Sequence, residues 1–364
     1  MKTTIFGLCL LFLPFLLPAQ RYTDNFNQEY FFGPLPSVRS ESMGHTGVAI
    51  GNSVSGLFIN PAVLGTIDDL EIDIANTAPF YVLKESDYYF LGGAYRIHPK
   101  LVAAASFHQF AMGPTGFVIE INGEDYPVDA PKATNLALSV AASPIENLQI
   151  GLNLNHFRWK YIDEVPVAGS LFFDAGVLYT LPIKESETSG SRLKIGGSLI
   201  NFAKDKITFA SPMGDEASNH FPIIGRMGVA YEGETTINYP GAGEGKIGIV
   251  LTAEYHGLLN NDYRKGIQMG GEIVFREILA VRVGYLSLNN NDNGLPQYNF
   301  SRGKDFTYGF GFIVPLDQLT DKKFPWKLHI DYVSLEPVIL STLGGRLPNR
   351  RGFSFRLVRN LSNS

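Results

Sequence analysis

The chain has 364 residues, a formal net charge of −5 and 18% charged residues, below the roughly one-quarter carried by soluble domains. Its one cysteine, Cys9, lies in the amino-terminal apolar run, so disulfides, thiolate zinc sites and cysteine nucleophiles are excluded from the rest of the chain. No basic stripe marks a nucleic-acid surface, and 38 glycines, 26 phenylalanines and 17 tyrosines favour strands and tight turns.

Met1-Lys2 makes a positive start, Ile5 to Leu17 is apolar apart from Gly7 and Pro14, and Pro18-Ala19-Gln20 follows. That order is a secretory signal peptide, with the cut expected after Ala19. The run has 13 residues, short of the ~20 that a spanning helix needs. Residues 20–68 are expected to form an amino-terminal plug or periplasmic segment. It holds Met43-Gly44, Gly47, Gly51 and Gly56, then Asn60-Pro61-Ala62. Proline fixes φ and removes a donor while asparagine satisfies backbone groups locally, which suits a tight turn before the first strand. The glycines lack the strand, helix and Lys-Ser/Thr ending of a phosphate loop.

Beyond residue 20 no run is apolar for 18 residues, so spanning helices are not expected. Alternating segments recur instead, each ended by a turn. They are Leu70–Ile74, Asp87–Ile97, Leu101–Phe110, Ala133–Ala142, Leu148–Tyr161, Val167–Leu181 and Arg192–Phe202. Phe221–Tyr231, Lys246–Leu258, Gly266–Phe275, Ile278–Leu288, Phe306–Val314, Trp326–Tyr332 and Gly352–Val358 follow, while Phe117–Ile121 reads as part of a loop. Short joins near 98–100, 143–147 and 276–277 alternate with long polar ones near 111–132, 203–220, 289–305 and 333–351. The joins at 232–245 and 315–325 are longer than their place in that alternation allows.

Ile267, Met269, Ile273 and Phe275 share one face against Gln268, Glu272 and Arg276; Trp326, Leu328, Ile330 and Tyr332 oppose Lys327, His329 and Asp331. A soluble sandwich alternates too, so this pattern alone leaves both architectures open. Strand length and unequal loops point to a membrane. So do aromatics near strand ends (Tyr88-Tyr89-Phe90; Phe157, Trp159 and Tyr161; Trp326 and Tyr332), read as interfacial girdles. The fold class expected is all-β: a transmembrane antiparallel β-barrel of about 14 strands over residues 69–358, with a small amino-terminal plug and a tail at 359–364.

The stretch Ser40-Glu41-Ser42-Met43-Gly44-His45-Thr46-Gly47, followed by Asn60-Pro61-Ala62-Val63-Leu64-Gly65, resembles the amino-terminal signature of the FadL-like outer-membrane transport superfamily. The resemblance implies a plug folded into a fourteen-stranded wall and a path for fatty acids or aromatic hydrocarbons. A Bacteroidetes branch with PorV/PorQ-like accessory barrels of type IX secretion is similar in length and in its Asn-Pro-Ala segment. Two features depart from the pattern: the segment before the barrel is short, and the chain ends on Arg359-Asn360-Leu361-Ser362-Asn363-Ser364 rather than an aromatic, with Phe353 and Phe355 upstream.

Met43, Leu57, Phe58 and Ile59 are the candidate ligand-contacting plug residues. Glu254, Glu272, Arg276, Arg282, His329, Asp331 and Arg356 are the candidate lumen polar network, either a mutually paired brace or a polar path with an arginine for a ligand carboxylate. The seven histidines, His45 and His156 included, show no metal spacing, and no Gly-x-Ser-x-Gly elbow occurs. No enzyme activity, cofactor, metal or nucleic acid is expected. The readings left open are a cell outer-membrane barrel, wrapped in lipid and lipopolysaccharide, that passes small hydrophobic molecules, and an accessory barrel whose loops 203–220 and 289–305 bind exported proteins or a secretion machine.

Overall fold

A computed structural model describes residues 35–51, 53–77, 87–111, 118–121, 124–127, 132–160, 167–202, 206–210, 216–220, 223–239, 243–259, 265–289, 304–316, 325–335 and 350–359. The expected signal peptide, the stretch up to residue 34 and the tail from 360 lie outside the described residues.

The described chain opens with one short helix, α1 (Val38–Ser42), and two 3-10 turns, Val54–Phe58 and Pro61–Thr66. Strands follow: β1 (Leu70–Thr77), β2 (Asp87–His98), β3 (Leu101–Ala111), β4 (Val118–Ile121), β5 (Glu124–Pro127), β6 (Lys132–Ile145), β7 (Leu148–Lys160), β8 (Ala168–Glu185) and β9 (Ser189–Ile200). The remainder are β10 (Lys206–Ala210), β11 (Glu216–His220), β12 (Ile224–Tyr239), β13 (Gly243–Leu258), β14 (Lys265–Phe275), β15 (Leu279–Asn289), β16 (Lys304–Pro315), β17 (Trp326–Leu335) and β18 (Arg350–Arg359). Fourteen of them form a closed antiparallel barrel, in which each strand pairs with its barrel neighbours in sequence and β1 also pairs with β18. β4–β5 and β10–β11 are separate hairpins in the connections β3–β6 and β9–β12. The stretch expected in a loop near 117–121 is thus half of a loop hairpin outside the ring.

Alternation in these strands runs inside out. Leu138, Val283 and Phe306 on the outer face are 56%, 58% and 61% exposed, whereas Asn153, Asp174 and Gln268 on the inner face are each 1% exposed. A soluble sandwich would bury the first set and hydrate the second. An apolar belt around a polar interior, with every barrel strand paired on both sides, is the arrangement that lipid permits. The protein is therefore a fourteen-stranded transmembrane β-barrel with the residues before β1 lodged inside it.

One expectation changes at the short-turn end, taken as periplasmic. The join expected at 232–245 is mostly strand: Glu232 to Tyr239 stay in register with Val250 to Gly243, leaving three residues, 240–242, between β12 and β13. Arg276 and Glu277, the tight reversal between β14 and β15, both have positive φ (53° and 56°), the conformation of a type I′ hairpin turn. The girdle reading is corrected for Phe157 and Trp159, and for Tyr88 and Phe90: all four point inward and are buried, filling the long-loop end of the lumen, while Tyr89 faces outward.

Replacing Leu138 by arginine in mid-strand should cost about 2–4 kcal/mol, while Ser139→Ala on the opposite face should stay within about 0.5 kcal/mol. Urea unfolding in lipid vesicles measures both; equal effects would contradict the assignment of faces.

Candidate functional site

The plug enters the described chain at Leu35, at the long-loop end beside Tyr88 and Phe172, and leaves at Ile67, where β1 begins at the short-turn end. Ser37 caps α1 by accepting from the Ser40 amide (3.2 Å). Asn60 caps the second 3-10 turn: its Oδ1 accepts from Ala62 N (3.0 Å), with Pro61 next, where no amide is required. The same side chain donates through Nδ2 to Val48 O (2.6 Å) and to Val177 O on β8 (3.0 Å). Asn60-Pro61-Ala62 is thus a joint that ties two plug segments to the wall.

Close approach of plug backbone to wall is possible because the wall lacks side chains there. A Cβ at Gly151 of β7 would overlap the backbone of Pro61 and Ala62, and one at Gly196 of β9 would overlap Val48. At Gly284 of β15 it would strike Met43 and Gly44, and at Gly176 of β8 the Asn60 side chain. Gly44 itself has φ +72°, a region that disfavours other residues. Hydrogen bonds then fasten the seated plug. Glu254 accepts from Gly47 N (2.8 Å) and Val48 N (2.9 Å), Thr307 accepts from Gly44 N (2.8 Å), and Glu71 accepts from Val54 N (2.5 Å). Asn153 donates to Leu57 O (3.0 Å), and Ser198 donates to Ile59 O (2.5 Å).

Six of the seven candidate lumen residues line the interior. Glu272 is shared by Arg39 of the plug (2.6 Å) and Arg282 of the wall, and Arg282 continues to Asp331 (2.6 Å). Glu254 pairs with Arg226 (2.9 Å); Arg356 stands 3.6 Å from Glu71 and donates to His329 Nδ1 (3.1 Å). Arg276 does not join them. The strand ends at Phe275, and the positive-φ turn carries Arg276 out of the alternation to an exposed place over the Tyr239 ring, 5.3 Å from its centroid.

Arg39, Glu71, Arg226, and the Lys194–Glu232–Arg192 pairs (2.7 and 2.6 Å) were not foreseen in the network. Glu71 and Asp73 were legible as the polar half of Leu70–Ile74, whereas Arg39 carries no periodic signal. Among the candidate plug residues, Met43, Leu57 and Ile59 are wholly buried in the packing between plug and wall. Of the four, Phe58 lines a cavity among the described residues.

That cavity lies at the long-loop end and has a volume of about 20 Å³. Leu35, Phe58, Tyr88, Phe172, Ile200 and Ile224 give it apolar walls; Asn135, Asp174, Asn201, His108 and Arg226 add polar ones. Phe58 meets Phe90 and His108 edge to face, with centroids 5.9 and 4.6 Å apart. Beside it the wall is stepped. β9 follows β8 only up to Ala175–Leu199, Phe202 N reaches Phe173 O (3.1 Å), and above that β10 lies against β8. A second cavity of about 270 Å³ at the short-turn end is charged, with Arg39, Glu71, Glu272, Arg282, His329 and Arg356 around it.

No family model matches the chain, and no curated protein matches it. Among solved structures it is similar to a TodX monoaromatic hydrocarbon channel mutant, with 10% identity, 88% of this chain and 96% of that one covered, and a TM-score of 0.45. A toluene transporter, TbuX of Ralstonia pickettii, gives 10% identity over 90% and 99% of the two chains with a TM-score of 0.45. A Pseudomonas aeruginosa FadL homologue gives 12%, 89% and 97%, with a TM-score of 0.42.

Gly284→Ala should loosen the plug and lower stability by more than about 1 kcal/mol, as overpacking does. Gly93→Ala, whose added carbon would lie 3.9 Å from its nearest neighbour, should be close to neutral. Limited proteolysis between residues 35 and 67, alongside unfolding, reads out the difference. Glu272→Gln, which uncouples two arginines, should cost several kcal/mol, on the order of 3–5 for a broken buried pair.

Proposed function

We propose that the protein is exported through a cleaved signal peptide to the cell outer membrane and there, as a FadL-like barrel, captures small hydrophobic molecules for passage inward. The observation that carries this reading is the apolar lining of the chamber around Phe58, where side chains such as Leu35, Phe172, Ile200 and Ile224 must part to admit a guest larger than the present space of about 20 Å³. It is the one place where an apolar residue of the plug and apolar residues of the wall meet at a cavity on the long-loop side, among the cavities described above. The stepped wall beside β8 gives a molecule dissolved in the membrane or bound at the loops a short way to it. Entry would be driven by desolvation of apolar surface. Passage beyond requires the contacts of Asn60, Glu254 and Glu272 to rearrange, because plug backbone fills the barrel below the chamber.

A second reading is favoured by that same fastening. A plug held by buried ion pairs and glycine-lined seats suits a barrel that does not transport but presents its outer loops to an exported protein or a type IX secretion machine.

Titration of the purified barrel in detergent with toluene or oleate, followed by calorimetry, separates the two. Saturable binding should weaken about tenfold in Phe58→Ala, the loss expected when one buried aromatic contact is removed. Absence of saturable binding, together with a stoichiometric protein partner recovered from solubilised membranes, would sink the transport reading and support the accessory one.

A further inference from the structure

The polar wall of the outer chamber has a carboxylate held by amides alone. Asp174, on the inner face of β8, is 1% exposed. Its Oδ2 accepts from Asn153 Nδ2 (3.0 Å) and Asn155 Nδ2 (2.8 Å), and its Oδ1 accepts from Asn201 N (2.9 Å). Asn201 takes a left-handed conformation, φ 59°, where the chain bends after β9. A carboxylate offers about four acceptor positions, so these three donors leave one open on Oδ1. Glu71, Glu232, Glu254, Glu272 and Asp331 all contact an arginine or lysine, while Asp73 is held by the Ser53 and Ser55 hydroxyls and Glu41 by His45. Asp174 has no ion-pair partner among the described residues. Arg226 borders the same chamber but forms no ion pair with Asp174; its guanidinium is turned to Glu254 on β13 and the His45 carbonyl.

The asparagines extend this asymmetry by relay. Asp174 demands N–H from Asn155, so Asn155 presents its oxygen to Asn135, which must in turn donate its Nδ2 (2.9 Å). That leaves the Oδ1 of Asn135, a residue 1% exposed, facing the chamber with no hydrogen-bond partner. Asn153 is fixed the same way: its Nδ2 serves both Asp174 and Leu57 O, and its Oδ1 also lacks a partner. Neither amide can be reversed without setting oxygen against oxygen. Of the relay, Asp174 and Asn135 border a space of about 20 Å³, room for a single water or a bare ion, and the oxygens left over there are acceptors.

We propose that Asp174 and Asn135, supported by Asn153 and Asn155, form a binding site for one hard metal cation, coordinated by oxygen alone. A water could bond to the free oxygens but would leave a buried negative charge uncompensated, and such a charge is costly to hold. A cation supplies both the missing charge and the missing partner for the oxygens. Carboxylate plus amide oxygens is the donor set that calcium and alkali ions accept.

The purified, full-length barrel, freed of metal with chelator and kept in tetramethylammonium salt, is heated in detergent with rising calcium chloride and, separately, sodium chloride at matched ionic strength. A saturable rise in Tm with either metal is expected, absent in Asp174→Asn and reduced in Asn135→Leu. Asp73→Asn, a buried carboxylate outside the relay, should keep the rise. If Asp174→Asn does not assemble, Asn135→Leu, which retains the charge, carries the comparison. A Tm indifferent to both metals, or a rise that survives in the Asp174 and Asn135 variants, overturns the proposal and leaves the space to water.

Discussion

Lipid offers a strand no partner for its backbone, and the rest of this structure follows from that. Every N–H and C=O in the spanning region must find a neighbour, and the only sheet that leaves no edge is one closed on itself. β1 meets that demand by pairing with β2 on one side and with β18, some 280 residues further along, on the other. Once the ring is closed, the two-residue period of a strand assigns every side chain to lipid or to lumen. Apolar residues take the outside, and the polar ones are forced together in a space too narrow for bulk water.

That crowding explains why the interior is organised as pairs. Glutamates and arginines brought into a confined lumen are tolerable only if they meet; most pairs lie within the wall, and Arg39–Glu272 crosses from plug to wall. Glu272 holds Arg39 as well as Arg282, and Glu254 holds two plug amides as well as Arg226. The wall glycines complete the arrangement from the opposite direction. By removing side chains where plug backbone passes, they let peptide groups come within hydrogen-bonding distance of the strands, so the plug is built into the wall and not merely resting in it.

The fourteen strands were legible because their period is strict wherever one face meets lipid. They were least legible where that constraint ends. Glu232-Gly233-Glu234-Thr235-Thr236 continues β12 toward the short-turn end, and with no apolar alternation there the strand looked like a loop. Arg276 failed for a related reason: alternation was extended one residue past Phe275, where the backbone changes sign of φ. The asparagine relay around Asp174 could not be read at all. Its members come from β6, β7, β8 and the bend after β9, and on any one strand an inward asparagine looks like ordinary lumen filling. The plug glycines were visible as flexible positions, but the wall glycines that receive the plug were indistinguishable from glycines facing lipid.

The distribution of polarity along the lumen also bears on how the two functional readings relate. From the short-turn end up to Glu254 the plug and wall are joined by charge and by backbone hydrogen bonds, contacts that resist sliding and open only in discrete steps. Around Phe58 the contacts are aromatic and apolar, which tolerate a guest of similar character because dispersion and desolvation are not directional. Under the transport reading proposed above, capture at the outer chamber and passage past the fastened plug would be separate events with different barriers. The two proposed readings then differ in the plug alone: transport needs ion pairs that release, an accessory barrel ion pairs that hold.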